Sequence, residues 1–287
     1  MNVYMPHTLE DLWEILSRDT EAKVFAGGTD IFPAFRRGAA KPSSLICLER
    51  IDSMRGIEER GDEILIGSLT THAMILRSPI ILKHAPILTK AVSGLGSPQI
   101  RNMGTIGGNI VTASPAGDTL PPLYVLNAQV EIKGAGTSRL VPVRDFIKGP
   151  GRTDLRGGEI VTGVRIGRPS CNIQHHEKVG RRKALSIATA SLAALMKVSA
   201  SGEVLEARLA WGSLGPTVVV SGAVEESLKG RRLTEETLRD AAALAQEAVS
   251  PISDIRGSEE YRRRLAGNLL LRLIQYKDGS KAPIGGE

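Results

Sequence analysis

Apolar residues recur at helical spacing at Leu9, Leu12, Trp13 and Leu16, behind Thr8, a good helix cap, and with Glu10 and Asp11 in the first turn. This pattern predicts a helix that ends near Ser17. Residues 23–26 and 44–48 then read as short strands, with a helical turn over 32–37 between them. Together they make a small α/β piece of about 55 residues, too small to stand alone. Residues 63–67 form another strand, and the hydroxyls of Ser68, Thr70 and Thr71 are placed to cap the helix after it. Pro86 opens a helix with Ile87, Leu88, Ala91 and Val92 on one face, closed by Gly94. Residues 129–133 alternate cleanly as a strand that turns at 134–136, residues 149–153 form a turn, and 159–166 form a further strand. Pro169, Ser170 and Asn172 break the pattern, so a domain boundary is placed across 169–177. Beyond it, strands 188–198 and 204–211 join at Ser201-Gly202. Thr234 caps a helix with Leu238, Ala241, Leu244, Ala245 and Val249 on its apolar face. Ser258 caps the last helix, with Tyr261, Leu265, Leu269, Leu273 and Tyr276 on one side and Arg262, Arg263 and Arg264 directed mostly to solvent. The last eight or so residues are expected to be disordered.

Composition narrows the classes. With 287 residues, 41% hydrophobic and 24% charged, the chain should hold one large or two modest soluble domains. Aromatics at 3% are too scarce for the stacking platforms of single-stranded nucleic-acid binders. The net charge of +6 is spread out apart from 181–183, 231–232 and 262–264; a solvated face, an anionic cofactor or acidic partner subunits would each account for it, the solvated face by default. Cys47 and Cys171 stand far apart with no CxxC, so the chain builds neither a disulfide framework nor a four-cysteine zinc or iron-sulfur site. Each is expected to be a buried or half-buried thiol in a reducing compartment. The histidines show no metal-ligand spacing, and no metal site is expected. No leader pattern opens the chain and no run approaches the roughly twenty apolar residues of a membrane span. A soluble cytoplasmic protein without membrane insertion is the expectation.

Residues 99–118 concentrate special residues more than any other stretch. Gly104, Gly107 and Gly108 supply backbone suited to sharp turns, positive φ and close approach to a ligand, and Thr105, Asn109, Thr112, Ser114 and Asp118 surround them with small polar groups. Consecutive amides in such a loop can cradle a phosphate, although one Gly-Gly pair reads equally well as a plain turn. Residues 24–31 repeat the pattern, an apolar run into Gly27-Gly28 and then Thr29 and Asp30. Two such loops suit one diphosphate. The strand, GxGxxG and helix order of a Rossmann site is missing and GxxxxGK[ST] is absent, which disfavours both of those nucleotide sites.

The two loops, Ala26-Gly27-Gly28-Thr29-Asp30 and Thr105-Ile106-Gly107-Gly108-Asn109, resemble the FAD-binding signatures of the flavoprotein (medium) subunits of the molybdenum hydroxylases, the xanthine dehydrogenase and carbon monoxide dehydrogenase family. Ile66-Gly67-Ser68-Leu69-Thr70-Thr71, Gln99-Ile100-Arg101-Asn102, residues 113–118, 149–153, 178–182 and 258–271 are similar in the same order, so the resemblance covers nearly the whole chain. It implies an α+β fold: a two-part FAD-binding domain of the vanillyl-alcohol-oxidase type over 1–174, with subdomains of about 1–55 and 56–174, then a smaller α+β C-terminal domain over 175–287. It further implies that Val24, Phe25, Ala26, Gly27, Gly28, Thr29, Asp30 and Ile31, with Thr105, Ile106, Gly107, Gly108 and Asn109, surround the FAD diphosphate through exposed amides. Asp118 would accept hydrogen bonds from FAD hydroxyls and Val161 would contact the flavin. Lys178 would place a cation near it that favours the anionic reduced form, unless it is a solvated surface lysine. Leu95 stands where some family members carry an aromatic beside the isoalloxazine. The implied role is an oxidoreductase subunit without catalytic acid or base of its own. It would take electrons from a partner with two [2Fe-2S] clusters, fed by a molybdopterin-containing catalytic subunit, and pass them to NAD or oxygen, in a dimer of heterotrimers. The competing expectations are a stand-alone flavin reductase or oxidase on the same fold and a non-redox protein that binds a phosphorylated ligand or nucleic acid.

Overall fold

The computed structural model describes residues 1–182 and 185–277. In chain order it begins with β1 (Asn2–Tyr4), α1 (Leu9–Arg18), β2 (Lys23–Phe25), α2 (Ile31–Arg36), β3 (Ser44–Cys47), β4 (Ile57–Arg60) and β5 (Glu63–Gly67). Six helices follow: α3 (His72–Arg77), α4 (Pro79–His84), α5 (Pro86–Ser93), α6 (Pro98–Met103), α7 (Ile106–Thr112) and α8 (Leu120–Val125). Next come β6 (Gln129–Gly134), β7 (Thr137–Pro142), α9 (Val143–Phe146), β8 (Ile147–Gly149), β9 (Arg152–Thr153) and β10 (Ile160–Gly167). The rest is β11 (Ile173–Val179), β12 (Ala190–Val198), β13 (Val204–Gly212), α10 (Gly222–Leu228), α11 (Glu235–Ala248), α12 (Glu259–Leu271) and a 3-10 turn, Arg272–Tyr276. The chain divides into two compact units, the first made of Met1–Leu82, Gly96–Ser114 and Asn127–Gly167, the second of Lys83–Leu95, Pro115–Leu126 and the chain from Arg168 onward.

In the first unit, β1 and β2 flank β3 in a parallel three-stranded sheet, with α1 and α2 as the connections that parallel strands need. Helix α1 starts where its sequence says it should. Thr8 Oγ1 accepts from Asp11 N and Asp11 Oδ2 accepts from Thr8 N, each at 3.0 Å, a reciprocal capping box. Its Leu12 is buried with Ile46, Leu48, Ile51, Met54, Leu69 and Ile160, which ties the parallel sheet to the larger one. That larger sheet is antiparallel, in the order β4-β5-β10-β6-β7, while β8 and β9 form a separate hairpin around the turn at 149–153.

The second unit is an antiparallel sheet, β11-β12-β13, with α10, α11 and α12 on one face and α5 and α8 on the other. Because both faces are covered, the central strand β12 is an almost unbroken apolar run rather than an alternating one. Trp211 lies fully buried at the centre of the core under α11 and α12, and its Nε1 donates to the Ala266 carbonyl at 3.1 Å.

Three sequence expectations are corrected here. Strand β11 begins inside the segment read as irregular, because Ile173 and the following residues pair along the whole edge of β12. Short or exposed strands, β1, β4, β7, β8 and β9, carry too few apolar positions to stand out. On α12 the phase is one residue off: Tyr261 is 42% exposed and Arg262 is 3% exposed. Arg262 stands one turn before Leu265 and Ala266 on the buried stripe, where Nη1 donates to the Ser213 carbonyl (3.0 Å) and Nη2 to Asp254 Oδ1 (2.5 Å). The expectation of disorder at the C-terminus, and Lys183 of the basic run, lie outside the described residues.

Two predictions follow from these buried polar groups. Arg262→Leu leaves the Ser213 carbonyl unmet and takes the Arg262 guanidinium from the half-buried Asp254 carboxylate, which keeps Arg256, a loss of about 1–3 kcal/mol. Burial pushes the Asp254 carboxyl up, but the Arg256 N-H and the Arg262 guanidinium outweigh it and leave the pKa below the ordinary 3.8. The contribution is therefore present above that value and is lost as pH falls through the depressed one. Urea unfolding should show the gap between wild type and variant at neutral pH and its narrowing in acid; a gap independent of pH would remove Asp254 from the account. His176, 4% exposed, is held neutral by burial and by the neighbouring His175, Lys178 and Lys90, with its pKa lowered to about 3. Its share of stability is complete above about 6.5 and falls by about 1.4 kcal/mol per pH unit below that, until the folded imidazole protonates. His176→Phe should remove about one proton of that slope between roughly pH 6 and 4, and an unchanged slope would place the acid sensitivity elsewhere.

Candidate functional site

In the first unit, β2 delivers the segment 24–31. Val24 and Phe25 pair with Ile46 and Cys47, and Ile31 opens α2. Between them a Cβ at Gly27 would run into the carbonyl of Met103, at the end of α6. Gly28 has φ +68°, and a Cβ there would fall on the Phe32 ring, which meets Phe25 edge to face at 5.4 Å. Among the described residues, the N-H groups of Gly27, Gly28, Thr29 and Asp30 donate to no protein acceptor. Thr112 Oγ1 donates to Asp30 Oδ2 at 3.3 Å and joins this segment to the end of α7.

The segment 104–109 corrects the sequence reading. It is the start of a helix, with Thr105 as its cap, and none of Gly104, Gly107 and Gly108 has positive φ. Its amides are engaged: Ile106 N donates to Thr70 O (3.0 Å), Gly107 N to Ser68 O (2.9 Å), Gly108 N to Thr105 Oγ1 (3.1 Å) and Asn109 N to Thr105 O (3.0 Å). No free nest of amides is left here for a phosphate. Gly107 is needed for close approach, since its Cβ would lie 2.6 Å from that of Ser68. Gly108 is different: it is exposed, and a Cβ there would meet only Thr105 Oγ1, at 3.1 Å. Val161, in β10, is 5% exposed beside a register shift opposite β6. The next residue, Thr162, accepts at its carbonyl from Ser68 N at 3.0 Å, so Val161 and Gly107 are linked through Ser68.

In the second unit, Leu95, Asp118 and Lys178 come together. Lys178 lies on β11 and, like Gln174, faces α5; Gln174 donates to the His84 carbonyl at 3.0 Å. Lys178 Nζ donates to the Gly94 carbonyl (3.0 Å) and to Asp118 Oδ2 (2.7 Å). With its side chain 13% exposed it is no solvated surface lysine. Leu95, 8% exposed, follows Gly94 directly. Burial raises the Asp118 pKa while Lys178 opposes the rise, and the Oδ1 atom is buried with no hydrogen-bond partner among the described residues. Leaving a buried acceptor unpaired costs about 1–3 kcal/mol, which a ligand hydroxyl would recover.

Sequence reasoning did not single out Gly94, whose carbonyl holds Lys178, nor Phe32, which covers Gly28. It also passed over Ser68 as a site residue, although its Oγ is buried without a hydrogen-bond partner among the described residues. The hydroxyl run at 68–71 was the available signal for Ser68.

Within the first unit, the free amides over Gly27 to Asp30 and the open surface at Gly108 have the chemistry to meet an anion such as a diphosphate; within the second, the unspent Asp118 oxygen has the chemistry to meet a ligand hydroxyl. Among the described residues no group of three His, Cys, Asp or Glu side chains converges to hold a metal.

Comparison with known proteins agrees. Residues 1–169 match the FAD binding domain in molybdopterin dehydrogenase, and residues 175–276 match the CO dehydrogenase flavoprotein C-terminal domain. The chain is 33% identical to the nicotine 6-hydroxylase medium subunit of Paenarthrobacter nicotinovorans over 94% of each chain. It is 30% identical to the carbon monoxide dehydrogenase medium chain of Afipia carboxidovorans, over 95% of this chain and 94% of that one. The crystal structure of quinoline 2-oxidoreductase from Pseudomonas putida 86 superposes with a TM-score of 0.92 at 28% identity, over 97% of both chains. The α+β fold, an FAD-binding domain followed by a smaller flavoprotein domain, is thus that of the family. The chain belongs to the FAD-binding subunits of the molybdenum hydroxylases, an oxidoreductase subunit whose cofactor is FAD.

Proposed function

We propose that this subunit takes electrons from the [2Fe-2S] clusters of a partner subunit, reduced in turn by a molybdopterin-containing catalytic subunit, and passes them to an acceptor such as NAD or oxygen. FAD, when bound, supplies the redox chemistry that accepts and releases those electrons. The observation that carries the reading is the half-satisfied Asp118, a buried carboxylate in a chain of this family with one oxygen on Lys178 and one unspent. The two free cysteines support the need for a partner, since they cannot ligate an iron-sulfur cluster by themselves. The assembly is a cytoplasmic heterotrimer that pairs into a dimer; among the described residues no helix is long and apolar enough to cross a membrane.

The protein's own residues bind and orient. The N-H groups of Gly27 to Asp30 donate to the diphosphate, while Thr105 to Asn109 present a helix start whose exposed Gly108 leaves room beside it. Lys178 opposes the upward pull of burial on the Asp118 carboxyl and aims it. Leu95 and Val161 contribute apolar surface that excludes water. We further propose that the FAD-binding domain spans 1–174 and the C-terminal flavoprotein domain 175–287, a division supported by the matched spans 1–169 and 175–276.

The placement is tested at two positions. Gly108→Val brings its Cβ against a single protein atom, Thr105 Oγ1 at 3.1 Å, so the melting temperature should fall by only a few degrees while FAD per chain falls at least about tenfold. Full flavin occupancy in that variant would refute the diphosphate site. Asp118→Asn keeps the shape but loses the carboxylate, and should weaken FAD binding by about 1–3 kcal/mol, some five- to a hundredfold, in a flavin titration. Equal affinity would remove Asp118 from the site. Electron acceptance only from an iron-sulfur partner, and no turnover of organic substrate by the isolated flavoprotein, is the outcome expected of a subunit rather than a stand-alone reductase.

A further inference from the structure

The first unit sets an aromatic cluster beside the amides of Gly27 to Asp30. The chain has four phenylalanines, and three of them, Phe25, Phe32 and Phe35, meet here. The Phe32 ring stands edge to face with Phe25 at 5.4 Å and with Phe35 at 6.2 Å. Phe146, the fourth, lies in the core with no exposure, whereas Phe32 is 43% exposed. No role assigned to residues 24–31 uses this ring.

The ring is fixed rather than loosely exposed. Two neighbouring rings hold it, and on another side its Cδ2–Cε2 edge lies against Gly28, where a Cβ would come within 2.4 Å of Cε2. The Phe32 N-H donates to the Gly28 carbonyl at 3.2 Å, which ties the ring's own backbone to the amide-bearing segment. An apolar ring left partly in water stabilises the fold less than a buried one. Held in one orientation, it loses little further freedom when a flat ligand covers it.

The order of chemical groups along this segment matches one half of FAD. The N-H groups of Gly27 to Asp30, which meet no protein acceptor among the described residues, suit the diphosphate. The exposed Asp30 carboxylate, which a diphosphate would repel, suits ribose hydroxyls, and Thr112 Oγ1 holds its Oδ2 at 3.3 Å. Two residues on, Phe32 offers an aromatic face of the kind on which bases stack. In FAD a single ribose separates the diphosphate from adenine, while the longer ribityl chain separates it from the isoalloxazine. A ring lying directly against Gly28 is therefore placed for the nearer base. We propose that Phe32, braced by Phe25 and Phe35, stacks on the adenine of FAD and gives the subunit its preference for FAD over FMN. This assignment rests on the reading that the diphosphate lies along Gly27 to Asp30.

The test titrates the full chain, freed of flavin, with FAD, with ADP and with FMN. Phe32→Leu keeps an apolar side chain but loses the flat face, so FAD and ADP should bind about five- to a hundredfold more weakly while FMN, which lacks adenine, binds as it does to wild type. Phe32→Tyr should restore FAD and ADP, and the melting temperature of the flavin-free Phe32→Leu chain should fall by no more than a few degrees. Unchanged FAD affinity in Phe32→Leu, an equal loss for FMN, or a loss that Phe32→Tyr does not restore would overturn the stack and leave the diphosphate reading standing. A wild-type chain that binds neither FAD nor ADP would overturn both. If Phe32→Leu keeps its FAD but no longer brings down iron and molybdenum with a tagged chain, the ring is a contact for another subunit and the proposal fails.

Discussion

Three glycines set the first unit's geometry by leaving no room for a side chain. A Cβ at Gly27 would strike the Met103 carbonyl, at Gly67 the Met54 carbonyl, and at Gly107 the Ser68 backbone and side chain. Each contact presses one segment against the main chain of another, so segments around 27, 54, 67 and 107 are stapled without a rotamer that could relax. The hydrogen bonds agree with this: Leu69 N donates to Met54 O at 2.8 Å and Gly107 N to Ser68 O at 2.9 Å. The amides of Gly27 to Asp30 are thereby held ready, and the site needs little reorganisation to receive an anion.

This constraint shows that a Gly-Gly pair can mark a special backbone for a reason other than the one its sequence suggests. A Gly-Gly pair followed by small polar residues announces a special backbone, and both segments are special. It does not announce which property of glycine is used. At Gly28 it is the positive φ; at Gly107 it is bare proximity inside a regular helix turn. The two loops looked alike because glycine is the common answer to both demands. Helix starts were more readable: Thr8, Thr71, Thr234 and Ser258 each cap a helix as their neighbours suggest, since capping is local. Strand pairing is not local. β4, with three exposed residues out of four, exists because β5 offers it an edge, and no period within 57–60 records that. Arg262 escaped for a related reason, because an arginine on an apolar stripe is recognisable only once Asp254 and the Ser213 carbonyl are seen to meet it.

Two aspartates of the second unit, the half-buried Asp254 and the buried Asp118, then separate architecture from function. Asp254 accepts from a backbone amide and two arginines, so both its oxygens are satisfied within the protein. Asp118 is more deeply placed, yet among the described residues it receives one lysine on one oxygen and nothing on the other. Folding alone would favour completing the second set of bonds or removing the carboxylate, since a buried ion pair with an unmet acceptor stabilises little by itself. The shortfall is tolerable only if something outside the chain meets it. Lys178 could have been free to meet a ligand directly, but its other hydrogen bond goes to the Gly94 carbonyl, so it is fixed at both ends and serves to aim the carboxylate. In a subunit whose redox chemistry belongs to a cofactor, no acid-base pair is required to mark the site. What marks it is the acceptor that the fold desolvates, orients and leaves unpaired.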